Sequence, residues 1–199
     1  MHDLFGVVPL GKIASDVARP SARHQTKRSI MHTPEYQPTG AERARIVTSK
    51  GEIVVELFGE HAPIHVANFV ELAETGFYDA TKFHRFEPGF VIQGGDPLTR
   101  DASAEDVASG RGRFGTGGPG YTIAGEFDPA KNPHRHVKHA LGMARSSDPN
   151  SAGSQFYFTL EPAHFLDNNY TVFGQVVEGG EVVDSLRIGD EIQSVTISA

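Results

Sequence analysis

Short apolar runs, repeatedly broken by glycine and proline, limit what this chain can fold into. It has 22 glycines and 12 prolines in 199 residues, enough to end most regular segments early. Ala44, Ile46 and Thr48 alternate with polar neighbours, Ser49-Lys50-Gly51-Glu52 supplies a turn, and Ile53, Val55 and Leu57 alternate again. Period-two alternation on both sides of a turn predicts a β-hairpin. Further strand-like runs stand at Phe83–Phe86, Phe90–Gln93, Tyr121–Ala124, Ala140–Ala144, Gln155–Leu160 and Thr171–Val177, with Ile192, Val195 and Ile197 as a closing strand. Two stretches carry helical spacing. After Pro63, which a first turn tolerates, come Val66, Phe69, Val70 and Ala73, and Gly76 ends the run. Val182, Val183 and Leu186 share one face over Glu181–Ile188. Many short strands with two helices predict a mostly β domain, a closed antiparallel barrel capped by helices.

Residues 1–40 lack sustained periodicity and carry Pro9, Pro20, Pro34 and Pro38. They read as a flexible or surface-draped extension, with the folded domain at 41–199. Met31 offers an alternative start. Charge divides along the same line. The extension holds five Lys/Arg against three Asp/Glu, the domain thirteen against twenty-two. An acidic body excludes broad phosphate-backbone binding, so no nucleic-acid partner is expected. The basic stretch Arg19–Arg28 reads as a solvated tail. Leu4–Leu10 is too short and lacks the basic flank of a signal peptide, and no run spans a membrane. A cytoplasmic monomer is the expectation. With no cysteine, disulfides and thiolate metal sites are excluded.

Several motifs reduce to structure. Gly110–Gly115 and Gly115–Gly120 both match G-x-G-x-x-G, but Tyr121-Thr122-Ile123 opens a strand where a dinucleotide fingerprint needs a helix. The glycines read as a connection beside a binding face. His134, His136 and His139 are interleaved with Arg135 and Lys138, which would repel a cation, so a surface segment is favoured over a metal site. His61 and His65 stand four apart at a helix start. Gly153-Ser154-Gln155 is not a nucleophile elbow, and no carboxylate pair flanks Arg85.

The segment Phe83-His84-Arg85-Phe86-Glu87-Pro88-Gly89-Phe90-Val91-Ile92-Gln93-Gly94-Gly95-Asp96 sets one arginine and one amide among aromatic side chains. No nucleophile or general base accompanies the arginine, which suits chemistry that breaks no bond. Gly115-Thr116-Gly117-Gly118, Met143-Ala144-Arg145, Gly153-Ser154-Gln155-Phe156-Tyr157, Phe165-Leu166-Asp167 and Val172-Phe173-Gly174 come after it in order. This succession resembles the cyclophilins, the cyclosporin-binding peptidyl-prolyl cis-trans isomerases, bacterial ones included, over about Arg43 to Ser198.

The resemblance implies an eight-stranded antiparallel barrel with two capping helices and a folding-assisting isomerase without cofactor or metal. It makes Arg85 catalytic, with Gln93 holding its guanidinium. Phe90, Val91, Tyr157 and Leu166 would form the proline pocket, with Phe165 and Tyr170 at its rim. Ala144, Arg145 and Gln155 would hold an extended, proline-containing polypeptide, while Phe156 reads as core. Three departures stand out. Phe165 replaces the family's drug-contacting tryptophan, so cyclosporin-type ligands should bind more weakly. Arg145 replaces a common asparagine and could favour acidic substrates. Leu98–Phe114 is longer than the common connection, with Asp101, Glu105 and Asp106 beside the groove. The rival reading is a proline-binding or chaperone module whose catalysis is incidental.

Overall fold

The computed structural model describes residues 30–199; Leu4–Leu10 and Arg19–Arg28 lie outside the described residues. Ten strands alternate with three short helices: β1 Ile30–Met31, β2 Arg43–Thr48, β3 Gly51–Leu57, α1 Pro63–Glu74, β4 Arg85–Glu87, β5 Val91–Gly94, α2 Ala104–Ala108, β6 Tyr121–Thr122, β7 Ala140–Met143, β8 Phe156–Thr159, β9 Val172–Glu178, α3 Gly180–Ser185 and β10 Ile192–Ser198. Eight of the strands form one antiparallel sheet in the order β10-β2-β3-β9-β7-β8-β5-β4.

The alternation read from the sequence fixes the inward face. Ala44 and Ile46 of β2 and Ile53, Val55 and Leu57 of β3 are buried, as period-two geometry requires of a half-solvated sheet. Phe156 and Phe158 point inward from β8. Phe69 of α1 meets Phe156 edge-on at 5.7 Å and Phe173 of β9 at 5.5 Å. Pro63 opens α1 without a capping side chain of its own. Glu126, from the loop after β6, accepts from the backbone N–H groups of Ile64 and His65 instead, opposing the positive end of the helix. Gly76 stops α1 in the left-handed region at φ 68°.

The closed barrel expected from the sequence is not formed: the sheet is an open half-barrel with β10 and β4 as its edges. The chain bonds across the gap one step too early for a ladder. Phe83 N–H donates to the Asp190 carbonyl at 2.9 Å and Ile192 N–H to Thr81 at 2.8 Å, so the pairing falls on the segments before each strand. The buried Lys82 ammonium holds this seam through the carbonyls of Ala80 and Arg100, each at 3.1 Å. A third helix adds to the two expected. α2 falls inside the long 98–114 connection, where Ser103 caps it by accepting from Asp106 N–H at 3.0 Å. The helix expected over Glu181–Ile188 spans Gly180–Ser185, because Leu186 turns extended. The strand expected at Tyr121–Ala124 keeps only Tyr121 and Thr122.

Residues 30–40 lie along the body. β1 pairs in parallel with β6, Ile30 opposite Tyr121 and Met31 opposite Thr122. Two carboxylates pin the stretch from Glu35 to Gly40. Glu71 of α1 accepts from the backbone of Glu35 and Tyr36. The buried Glu42 accepts from the Tyr36 hydroxyl and from Thr39 and Gly40. Burial alone would raise both carboxyls, but these donors outweigh it and hold both below the ordinary carboxylate range. A depressed folded pKa adds stability that is complete above the unfolded value and lost as pH falls through the folded one. We therefore expect the 30–40 segment to loosen on acidification below about pH 4 while the sheet stays folded. Hydrogen exchange at the Tyr36 and Gly40 amides should accelerate before exchange at Ile46; simultaneous acceleration would refute it.

Candidate active site

The site is laid out by strand register. Arg85 stands opposite Gln93 on β4 and β5, Gln93 opposite Tyr157 on β8, and Tyr157 opposite Gly142 on β7. Cross-strand partners project to one face, so these side chains share a surface that the inward row Phe86–Ile92–Phe158–Leu141 does not reach. The turn at Pro88-Gly89, with Gly89 at φ 70°, returns the chain in this register.

A cavity of about 260 Å³ opens on that face, lined by Arg85, Phe90, Val91, Gln93, Ala144, Arg145, Tyr157, Leu166 and Tyr170. Two expected residues lie outside this lining. Gln155 borders a larger neighbouring cavity of about 720 Å³. Phe165 is 71% exposed and packs on Phe90 with ring centroids 5.3 Å apart. The Arg85 side chain is half exposed, its Nη1 3.4 Å from Gln93 Oε1 and its Nε 3.4 Å from Glu87 Oε1. Both contacts are long for hydrogen bonds, leaving most guanidinium donors available. Gln93 is held more firmly. Its Nε2 donates to Gln155 Oε1 at 2.9 Å, and Gln155 Nε2 donates to the Gly117 carbonyl at 2.8 Å.

That glycine belongs to the loop that resembles a nucleotide fingerprint. The buried Asp96 accepts from Gly115 and Gly117 N–H groups and folds the loop against the site. A Cβ at Gly117 would lie 2.1 Å from Asp96 Oδ1, so only glycine fits. The acidic residues of the 98–114 connection do not line either cavity. Glu105 and Asp106 pair with Arg111 within the loop. Arg145 is likewise occupied. Its Nε and Nη2 donate to the Asn169 carbonyl at 3.0 and 2.7 Å, and its guanidinium lies 4.4 Å from the Tyr170 ring centroid. It thereby ties the 144–151 loop to the pocket wall.

Beneath the pocket lies a relay that the sequence reading missed. His136 is completely buried, not part of a surface segment. Its Nε2 is 2.9 Å from the Tyr157 hydroxyl and its Nδ1 is 2.9 Å from Asp167 Oδ1. Burial alone would raise the Asp167 carboxyl, but the His136 backbone and ring, Arg135 and His164 all bond to it and hold it well below the usual range. Asp167 is therefore ionised, Nδ1 carries the proton, and neutral Nε2 accepts from Tyr157. Burial, only partly offset by Asp167, keeps the imidazole pKa below its ordinary value. Burial also raises the Tyr157 phenol far above its ordinary value, so it stays protonated. Gly142 makes room for this ring, since a Cβ there would meet it at 2.4 Å. The other histidines go elsewhere: His134 stacks on Phe58 and meets His61 Nδ1 at 3.0 Å, His139 bonds Asp184, and His65 bonds Glu126. Among the described residues no group of three or more His, Cys, Asp or Glu side chains is placed to hold a metal ion.

The family model for the cyclophilin type peptidyl-prolyl cis-trans isomerases matches residues 43–198. The chain belongs to the cyclophilin family. It is an isomerase of peptidyl-prolyl bonds. A peptidyl-prolyl cis-trans isomerase of Helicobacter pylori is 40% identical over 158 residues, 78% of this chain and 86% of that one. Isomerase B of Bacillus subtilis is 43% identical over 146 residues, 73% of this chain and 90% of its own. Among solved structures, a Cryptosporidium parvum cyclophilin crystallised in the presence of the dipeptide Ala-Pro superposes with a TM-score of 0.66 at 29% identity, covering 79% of this chain and 99% of that one. Among the described residues no helix is long and apolar enough to cross a membrane.

The relay carries a prediction for this cyclophilin. His136→Ala leaves the buried Tyr157 hydroxyl without its acceptor and should destabilise the fold by about 2–4 kcal/mol. In a Tyr157→Phe background the same change should cost at least about 1 kcal/mol less. Urea unfolding of the four proteins measures this coupling, and strictly additive losses would disprove it.

Proposed function

We propose that Arg85 is the catalytic side chain and that the 260 Å³ cavity takes the substrate's proline ring. The observation that carries this reading is a half-exposed guanidinium at the mouth of an aromatic-lined cavity, with no nucleophile or base within reach. Amide resonance makes the barrier to rotation about a prolyl bond, and unaided relaxation takes tens of seconds or more. In the twisted transition state conjugation is lost and the proline nitrogen regains a lone pair. A guanidinium N–H can donate to that nitrogen only then, so the bond forms in the transition state and not in the ground state. Arginine stays charged throughout and needs no proton transfer.

Phe90, Val91, Tyr157 and Leu166 grip the pyrrolidine ring, with Tyr170 closing one side. Ala144 and Arg145 offer backbone groups to the residues before the proline, so rotation works against a fixed end. Gln93, itself held by Gln155, keeps the guanidinium facing the bond. Each tenfold acceleration needs about 1.4 kcal/mol, within reach of one charge-assisted hydrogen bond in a water-poor pocket. Proline-containing polypeptides are the substrates in this reading, and assistance to their folding is the physiological role.

Arg85→Ala should lose at least about a hundredfold in kcat/KM, equivalent to the loss of one charge-assisted bond, with the fold intact. Arg85→Lys should recover little, because a point charge lacks the planar fork. Exchange NMR on a short Xaa-Pro peptide tests both, and undiminished exchange with folded Arg85→Ala would remove Arg85 from the mechanism. Phe165 lacks an indole N–H, so cyclosporin should bind at least about tenfold more weakly than to Phe165→Trp. Calorimetric titration of the two proteins decides, equal affinities counting against it.

A further inference from the structure

Building on the isomerase reading, we infer that Ile30, carried by the segment pinned to α1, selects the residues preceding the proline in a substrate and favours an apolar side chain there. The larger cavity adjoins the proline cavity through shared residues Gln93, Ala144 and Arg145. In this reading Ala144 and Arg145 hold the stretch before the proline, so that stretch runs into the larger cavity. Its volume, about 720 Å³, is nearly three times that of the first. Much of its wall is backbone from the Gly115–Gly120 loop and offers few side-chain features. Ile30 is the largest aliphatic group on it, and it is 75% exposed.

Ile30 is held there by specific contacts. It pairs with Tyr121 in the β1–β6 ladder, and the next residues anchor the strand. His32 N–H donates to the Thr122 carbonyl at 2.7 Å, and the His32 ring lies 4.2 Å from the Tyr121 ring. Tyr121 is fixed in turn by its hydroxyl, which donates to Asn68 Oδ1 of α1 at 2.8 Å. An exposed aliphatic side chain on a well-anchored strand, facing a groove continuous with a peptide site, is suited to bury a substrate side chain of the same character.

The test uses the full chain and three peptides: a short Xaa-Pro peptide, and two longer ones extended before the proline with either leucine or aspartate at each added position. For the wild type, kcat/KM by exchange NMR should favour the leucine-extended peptide over the aspartate-extended one by about tenfold. Ile30→Asp should reduce that ratio to about threefold or less, and Ile30→Leu should retain it. The Ile30 methyl resonances should shift with the leucine-extended peptide and not with the short one. A ratio unchanged in Ile30→Asp, or a methyl signal that does not move, overturns the inference. Failure of the wild type to accelerate the short peptide would instead overturn the isomerase reading, and the methyl titration would still judge Ile30.

Discussion

Strand register is the constraint on which everything else in this molecule rests. Arg85, Gln93, Tyr157 and Gly142 form one row across four strands, and the adjacent row is solid core. Side chains alternate between faces with a period of two, so a one-residue slip of β4 against β5 would send Arg85 inward and Phe86 into water. Both sides of the sheet oppose such a slip. Ile92, Phe158 and Leu141 are fully buried on one face, and the Gln93–Gln155–Gly117 chain of hydrogen bonds holds the other. The packing that stabilises the fold thereby also aims the arginine.

An apolar pocket can be built on polar supports when each is satisfied. Asp167 comes directly after Leu166 and reaches back to His136, which reaches Tyr157, so one hydrogen-bonded chain joins the wall of the pocket to its floor. A half-satisfied network would be worse than an apolar floor. Here both imidazole nitrogens and both carboxylate oxygens are engaged. Arg145 works similarly on the other side, spending its donors on the Asn169 carbonyl. Its charge is thus used for scaffolding, which argues against the acidic-substrate preference that composition suggested.

Local pattern made much of this legible. The Phe-Tyr-Phe-Thr run of β8 shows its alternation outright, and Pro63 with Gly76 brackets α1. Arg85 stood out because nothing around it could serve other chemistry. What stayed hidden depends on partners distant in sequence. His136 and Tyr157 are 21 residues apart, Asp167 and His136 another 31, and no periodicity links them. A histidine among basic neighbours reads as solvated until its partners are known. The open seam was equally unreadable, since strand count does not reveal that pairing across the gap falls one segment early. β1 is too short to leave a pattern, and its parallel partner lies some ninety residues away.

The open edge gives the molecule a mechanical asymmetry. β4 is three residues long and pairs on one side only, whereas β5, which carries Gln93, is paired on both. Arg85 therefore sits on a compliant element backed by a stiff one. A group that must follow a peptide bond as it twists benefits from such a mount: the guanidinium can track the moving nitrogen through small flexing of an edge, and no interior ladder bond has to break. A sheet closed at this point would have made the same arginine rigid.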